Sequence, residues 1–157
     1  MSCVAFVIRD FKPEDFDTLW GIDQSCFPPG IAYSRVELKS FIRHPRTFTL
    51  VAQDVEQDGH GINGFIVVDQ GSIGHVITID VVAEARRLGV GSRLLQAAED
   101  KLRTAGAGAV GLETAVDNIS ALSFYKRHGY SVIRTWPRYY SNGVDALVLK
   151  KNLKAEP

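Results

Sequence analysis

The chain has 157 residues, 45% of them hydrophobic and 23% charged, which suits one globular domain with a full core spanning 1–157. Eighteen basic residues balance eighteen acidic ones, so the basic excess of a general nucleic-acid binder is missing. No apolar run approaches the roughly 20 residues that span a bilayer.

The opening residues lack the basic start and long apolar stretch of a signal peptide. Cys3 and Cys26 form neither a metal pattern nor a disulfide framework, and both are expected in the core of a protein from a reducing compartment. A cytoplasmic protein is the expectation. Residues 4–8 predict a first strand, and Pro13 with Glu14 and Asp15 favours a helix first turn. Phe16, Leu19, Trp20, Ile22, Cys26 and Phe27 then mark an amphipathic helix in which Asp23 is a polar intrusion. Pro28-Pro29-Gly30 stops it. Ser34-Arg35-Val36-Glu37 reads as a capping box, launching a short helix with Leu38, Phe41 and Ile42 on one side. Strands at 47–52 and 62–68, with turns at Asp58-Gly59-His60-Gly61 and Asp69-Gln70-Gly71, form an antiparallel meander. It leads into the β-branched run Val76, Ile77, Ile79, Val81 and Val82, a buried central strand.

Arg86-Arg87-Leu88-Gly89-Val90-Gly91 follows, and then a helix with Leu94, Leu95, Ala98 and Leu102 on one face. The first amides of a helix have no partner within it. Gly89 and Gly91 carry no side chain to obstruct them, so a diphosphate can approach closely, beside the positive charge of Arg86 and Arg87. The spacing is neither the dinucleotide fingerprint nor a nucleoside-triphosphate loop. The plain alternative is a helix start whose glycines allow close packing on the sheet. A strand at 109–114, a short helix capped by Asn118 and stopped by Gly129, and strands at 130–135 and 144–149 complete the chain. Residues 150–157 are polar and expected as a frayed tail. The sum is an α/β fold: a mixed, twisted sheet of about seven strands, with helices on both faces and at least one parallel pair.

The crevice beyond the C-terminal ends of the parallel strands is the favoured ligand site in such a sheet. Its second wall carries Glu113, a carboxylate able to take a proton from an amine, Asn118, a helix cap by type, and Tyr125, a phenol with a reference pKa near 10. His44, His60, His75 and His128 occur singly without metal-ligand spacing and are expected at the surface or at strand ends.

Three segments in order carry a resemblance. Arg86 to Gly91 is similar to the pyrophosphate-binding Q/R-x-x-G-x-G/A segment of the GCN5-related N-acetyltransferases. Leu112-Glu113-Thr114, Asn118, Ala121, Tyr125 and Gly129-Tyr130 resemble the same family's second motif. Arg138-Tyr139-Tyr140 with Asp145-Ala146 resembles its substrate-side segment. Within the family the chain looks most like the N-terminal acetyltransferase catalytic subunits and the enzyme that acetylates the N-terminal alanine of a ribosomal protein. The resemblance runs from about Phe6 to Leu149. Lys12 departs from it, replacing the small hydroxyl cap usual before Pro-Glu-Asp.

What the resemblance implies is an enzyme that transfers acetyl from acetyl-coenzyme A directly to a protein or peptide N-terminal α-amine. A ribosomal protein is the inherited guess for the acceptor. It implies a coenzyme site at Val81, Val82, Arg86, Arg87, Leu88, Gly89, Val90, Gly91, Ser92, Asn118, Ala121 and Tyr125, with backbone amides after the central strand polarising the thioester carbonyl. Glu113, twelve positions before Tyr125, takes the base role and Tyr125 the acid role, with Tyr33, Glu113, Arg138, Tyr139 and Tyr140 lining the acceptor slot. The alternatives are acetylation of a small-molecule amine or a lysine side chain, and a non-catalytic acyl-coenzyme A-binding module.

Overall fold

The apolar runs of the sequence pair into one seven-stranded sheet, seen in a computed structural model that describes residues 5–55 and 61–154. In chain order the elements are β1 (Phe6–Asp10), α1 (Phe16–Cys26), α2 (Arg35–Arg43), β2 (Thr47–Asp54), β3 (Ile62–Asp69) and β4 (Gly74–Val81). There follow α3 (Val90–Thr104), β5 (Ala109–Ala115), α4 (Ile119–Arg127), β6 (Ser131–Trp136) and β7 (Ala146–Asn152). The strand order is β1-β2-β3-β4-β5-β7-β6. Every neighbouring pair is antiparallel except β4 with β5. That parallel pairing covers only Gly74 with Val110 and His75 with Gly111, so beyond those residues the two strands part. The mixed sheet with helices on both faces is the expected architecture.

One face of the sheet packs against α3 and α4 in a core that includes Leu50, Ile66, Leu94, Leu95, Leu102 and Leu149. The other packs against α1 and α2 around Leu19, Leu38, Val51 and Phe65. Leu94, Leu95 and Leu102 are fully buried, each contributing about 1.5–3 kcal/mol by burial. They seat α3 along its length on the sheet. The capping box at Ser34 is present in both directions: Glu37 N donates to Ser34 Oγ at 3.1 Å and Ser34 N to Glu37 Oε1 at 3.0 Å. Where Lys12 offers no cap, Asp15 substitutes by accepting the Lys12 amide at 2.8 Å and an Arg9 ion pair.

Three expectations shift. The first strand runs two residues later than 4–8. The last strand continues to Asn152 rather than stopping at 149, and Leu153 is 5% exposed within the core. Residues 150–153 are therefore not a frayed tail: Lys150 and Lys151 pair with Gly111 and Val110, and Lys151 Nζ meets the buried Glu99 at 2.8 Å. Cys26 is half-buried rather than sealed in the core, with its thiol donating to Val81 O at 3.4 Å. Cys3, His60 and most of the expected 58–61 turn lie outside the described residues.

Candidate active site

Between β4 and α3 the backbone turns through two left-handed residues, Arg87 at φ 64° and Gly89 at φ 87°. That conformation costs a residue with a Cβ roughly 1–2 kcal/mol, which is the reason for glycine at 89. Gly89 is the N-cap of α3, with no side-chain cap and no acidic residue in the first turn. Arg93 N is bonded back to Gly89 O at 3.0 Å, so the amides of Val90, Gly91 and Ser92 precede the intrahelical ladder. Nothing stands within 4 Å of where a Gly89 Cβ would be, while a Gly91 Cβ would touch the Phe124 ring at 3.4 Å. The first turn is thus amide-rich, open at 89 and tight against α4 at 91. These residues fit the diphosphate expected of them.

Two members of the expected coenzyme set are engaged elsewhere. Arg86 does not point its charge at the helix start: its guanidinium holds Val81 O at 3.1 Å and Cys26 Sγ at 3.6 Å. The Val82 amide donates to Asn63 O at 2.9 Å, which removes it from the amides able to polarise a carbonyl. Ser92 Oγ lies 2.9 Å from His128 Nε2, tying α3 to the end of α4. Asn118 caps α4 by accepting the Ala121 amide at 3.2 Å, its role by residue type. Leu88 is exposed at the mouth of the turn.

Across the parting of β4 and β5, Glu113 is held by both oxygens. Its Oε2 is 2.7 Å from His75 Nε2, and its Oε1 accepts the Tyr139 hydroxyl at 3.1 Å. His75 is near a strand end, as expected of a lone histidine, but it is bonded to Glu113, the residue expected as the base. Hydrogen bonding to Glu113 raises the imidazole above its ordinary value, against the opposing effect of burial. The Tyr139 phenol is pushed up to about 12, by burial first and then by the Glu113 charge. Tyr125 is buried, with edge-on contacts to Phe124 at 5.3 Å and Tyr130 at 5.7 Å. Burial, then the charges of Asp80 and Tyr140, raise its phenol well above 10. It keeps its proton firmly and is a weaker acid than its reference value indicates.

Tyr33 lies between α1 and α2, its amide donating to Asp23 Oδ2 at 2.8 Å and its hydroxyl to Ile77 O at 3.3 Å. Burial raises its phenol well above the ordinary value, and Tyr139 and Tyr140 stack edge-on to each other at 4.9 Å. Two loops meet above them: Ser141 Oγ donates to Gly30 O at 2.7 Å, and a Cβ on Gly30 would stand 2.8 Å from Asn142 Cβ. Arg138 is at the rim, its amide bonded to Asp145 Oδ1 at 2.8 Å and its side chain exposed. A groove of about 340 Å³ runs from Glu113 and His75 past Ile73, Ile133 and Trp136 to Lys150.

The chain belongs to the acetyltransferase (GNAT) family, whose model matches residues 16–130. The class of reaction, acetyl transfer that depends on acetyl-coenzyme A, comes with the family. Among relatives, an uncharacterised N-acetyltransferase of Methanocaldococcus jannaschii is 32% identical over 92% of this chain and 90% of its own. N-alpha-acetyltransferase 30 of Schizosaccharomyces pombe is 34% identical over 73% of this chain and 77% of its own. The crystal structure of Ard1 from Thermoplasma volcanium superposes with a TM-score of 0.87 at 26% identity, covering 97% of this chain and all, 100%, of that one.

Proposed function

We propose that the protein acetylates the N-terminal α-amine of a protein or peptide. The observation that carries this reading is that Glu113 is fixed between His75 and Tyr139 at one end of the groove. The loops of Gly30 and Ser141 are bonded to each other beside Tyr140, and we place the entrance for a chain terminus between them and Glu113. A terminus can enter there and lay the following residues along the apolar groove toward Trp136 and Lys150. The relative from Schizosaccharomyces pombe named for α-amine acetylation supports the same class of acceptor.

Bound acetyl-coenzyme A would supply an activated acetyl thioester. The amides of Val90, Gly91 and Ser92 would hold its diphosphate, with Arg87 and Leu88 at the turn and Val81, Asn118 and Ala121 beside the crevice. Glu113 accepts the amine proton, directly or with His75, whose ring it orients. Tyr125 keeps a proton on its hydroxyl for the departing sulfur. Its high pKa suits a hydrogen bond to the developing thiolate better than early full transfer. Magnitudes favour an α-amine: with reference values near 7.8 and 10.4, roughly a tenth of α-amines but about one lysine in 2,500 are neutral at pH 7.

The test is a competition among peptides beginning Ala, Ser, Met-Leu and Met-Glu, an N-terminally blocked lysine peptide, and polyamines, with mass spectrometry locating the acetyl group. Acetylation of free peptide termini is expected. Modification chiefly of the blocked peptide's lysine, or of polyamines alone, overturns the reading. No acetylation of any of these acceptors would favour the non-catalytic binding module.

A further inference from the structure

Two carboxyl groups lie beside this site and take no part in the acid–base scheme above. Asp23 on α1 is 0% exposed and Asp80 on β4 is 1% exposed. Each has one oxygen engaged: Asp23 Oδ2 accepts the Tyr33 amide at 2.8 Å, and Asp80 Oδ1 accepts Thr78 Oγ1 at 2.5 Å. Each has one oxygen left over, Asp23 Oδ1 and Asp80 Oδ2, buried and without a hydrogen bond to any other group. Packing brings the two to one buried interface: Asp80 pairs with Phe65 of the cluster that α1 covers. Cys26, one turn after Asp23 on α1, reaches the carbonyl of Val81 beside Asp80 at 3.4 Å, where the Asp23 carboxyl acts on that of Asp80. Two ionised carboxylates in contact and out of water repel strongly, and neither oxygen would have a donor. One proton between them satisfies both orphan acceptors at once.

We propose that Asp23 and Asp80 share a single proton, and that this pair positions the acceptor slot by clamping the loop of Tyr33 onto the central strand. The positioning half of the inference rests on the acceptor reading above; the shared proton does not. The clamp is continuous: β4 carries Asp80, the shared proton joins it to Asp23, and Asp23 holds the Tyr33 backbone. Trp20 Nε1 and Gln24 Nε2 hold the Tyr33 carbonyl from the same helix, at 3.2 and 2.6 Å.

The groups that act on the pair come from every side. Thr78 lies on its own strand, Arg86 on the following turn, Cys26 on α1, Tyr33 on the loop and Tyr125 on α4. Arg86 is the cation among them, which accounts for its guanidinium lying by Cys26 instead of at the start of α3. One negative charge on the pair is balanced there, and a second is not. Burial, and then Asp23 itself, hold Asp80 well above the usual carboxylate range. As pH rises through that raised value the second charge appears, the carboxyls separate and the Tyr33 amide loses its anchor.

The experiment is carboxyl-carbon NMR of the full chain across pH, without substrate, together with hydrogen exchange at the Tyr33 amide. The expected result is one carboxyl of the pair remaining protonated through neutral pH, with Tyr33 exchange rising at least tenfold as it titrates. Asp80→Asn supplies a permanent N–H donor to Asp23 and should keep Tyr33 protected at every pH, whereas Asp80→Ala should not. Both carboxyls titrating near 4, or Asn and Ala variants exchanging alike, overturns the shared proton. For an acetylated peptide, KM should rise several-fold over the same pH range in wild type and stay level in Asp80→Asn. A level wild-type KM beside a titrating pair overturns the positioning role. Failure to acetylate any peptide counts against the acceptor reading, while the shared proton still stands or falls on the NMR titration.

Discussion

At the scale of single residues, the candidate site sets Glu113, paired with His75, against Tyr125, a phenol that burial holds protonated well above neutral pH. His75 is held above its ordinary value by Glu113, so its ion pair stabilises the fold on the acid side of about 6.5 and fades as pH rises through the raised value. Its side chain is 45% exposed, and solvent screening limits the effect to about 0.5–1 kcal/mol. Glu113→Gln should erase this pH-dependent increment, lower kcat by about 10²-fold or more, and move the acid limb of kcat to lower pH as His75 loses its partner. An unchanged acid limb removes His75 from the reaction centre. Tyr125→Phe should lower kcat by a similar factor while calorimetry finds acetyl-coenzyme A binding retained. Residue type and spacing made Glu113 and Tyr125 candidates from the chain alone. His75 was not one, because its partner is 38 residues away and reached only through the parallel pairing of β4 and β5. Asp23 stood out as a polar residue on an apolar helix face, yet nothing local pointed to Asp80.

At the scale of elements, the sequence cues that worked were those whose physics is local. The capping box at Ser34 and the apolar face of α3 need only neighbours within a turn or two. The end of β7 needed more, since Lys150, Lys151 and Asn152 read as a polar tail until β5 and Glu99 are placed beside them. The start of α3 lies between these cases: its glycines are visible in the chain, but the contact between Gly91 and Phe124 of α4 is not. That contact yields a prediction. Gly91→Val should push α3 from α4 and crowd the amides of its first turn, so the rise in Tm given by acetyl-coenzyme A should largely vanish while the unliganded domain stays folded. Equal thermal shifts for variant and wild type would remove the diphosphate from this turn.

At the scale of the whole molecule, the sheet is two halves, β1 to β4 and β5-β7-β6, hydrogen-bonded to each other at only two residue pairs. The chain predicted the number and mix of strands, but parallel neighbours are ordinarily paired along their length, and no residue announces that these two diverge. His75 belongs to one half and Glu113 to the other, so their contact spans the junction at the point where the pairing stops. Gly74 stands at this junction. A Cβ there would come within 2.6 and 2.8 Å of the δ carbons of Leu102, which is fully buried beneath the sheet. Gly74→Ala should therefore destabilise the domain by about 1–3 kcal/mol, as overpacking does, and displace His75, the next residue, relative to Glu113. The expected signature is a lower denaturation midpoint and a lower kcat, with acetyl-coenzyme A affinity kept because the turn proposed to hold it lies at the far end of β4. Leu102→Ala alone costs about 2–5 kcal/mol by leaving a cavity, but combined with Gly74→Ala the new methyl occupies part of that space. The double variant should thus be less destabilised than the sum of the singles by at least about 0.5 kcal/mol. Strict additivity in denaturant titrations would show that the junction is not strained by the new methyl, and that its geometry is set by the strand pairs alone.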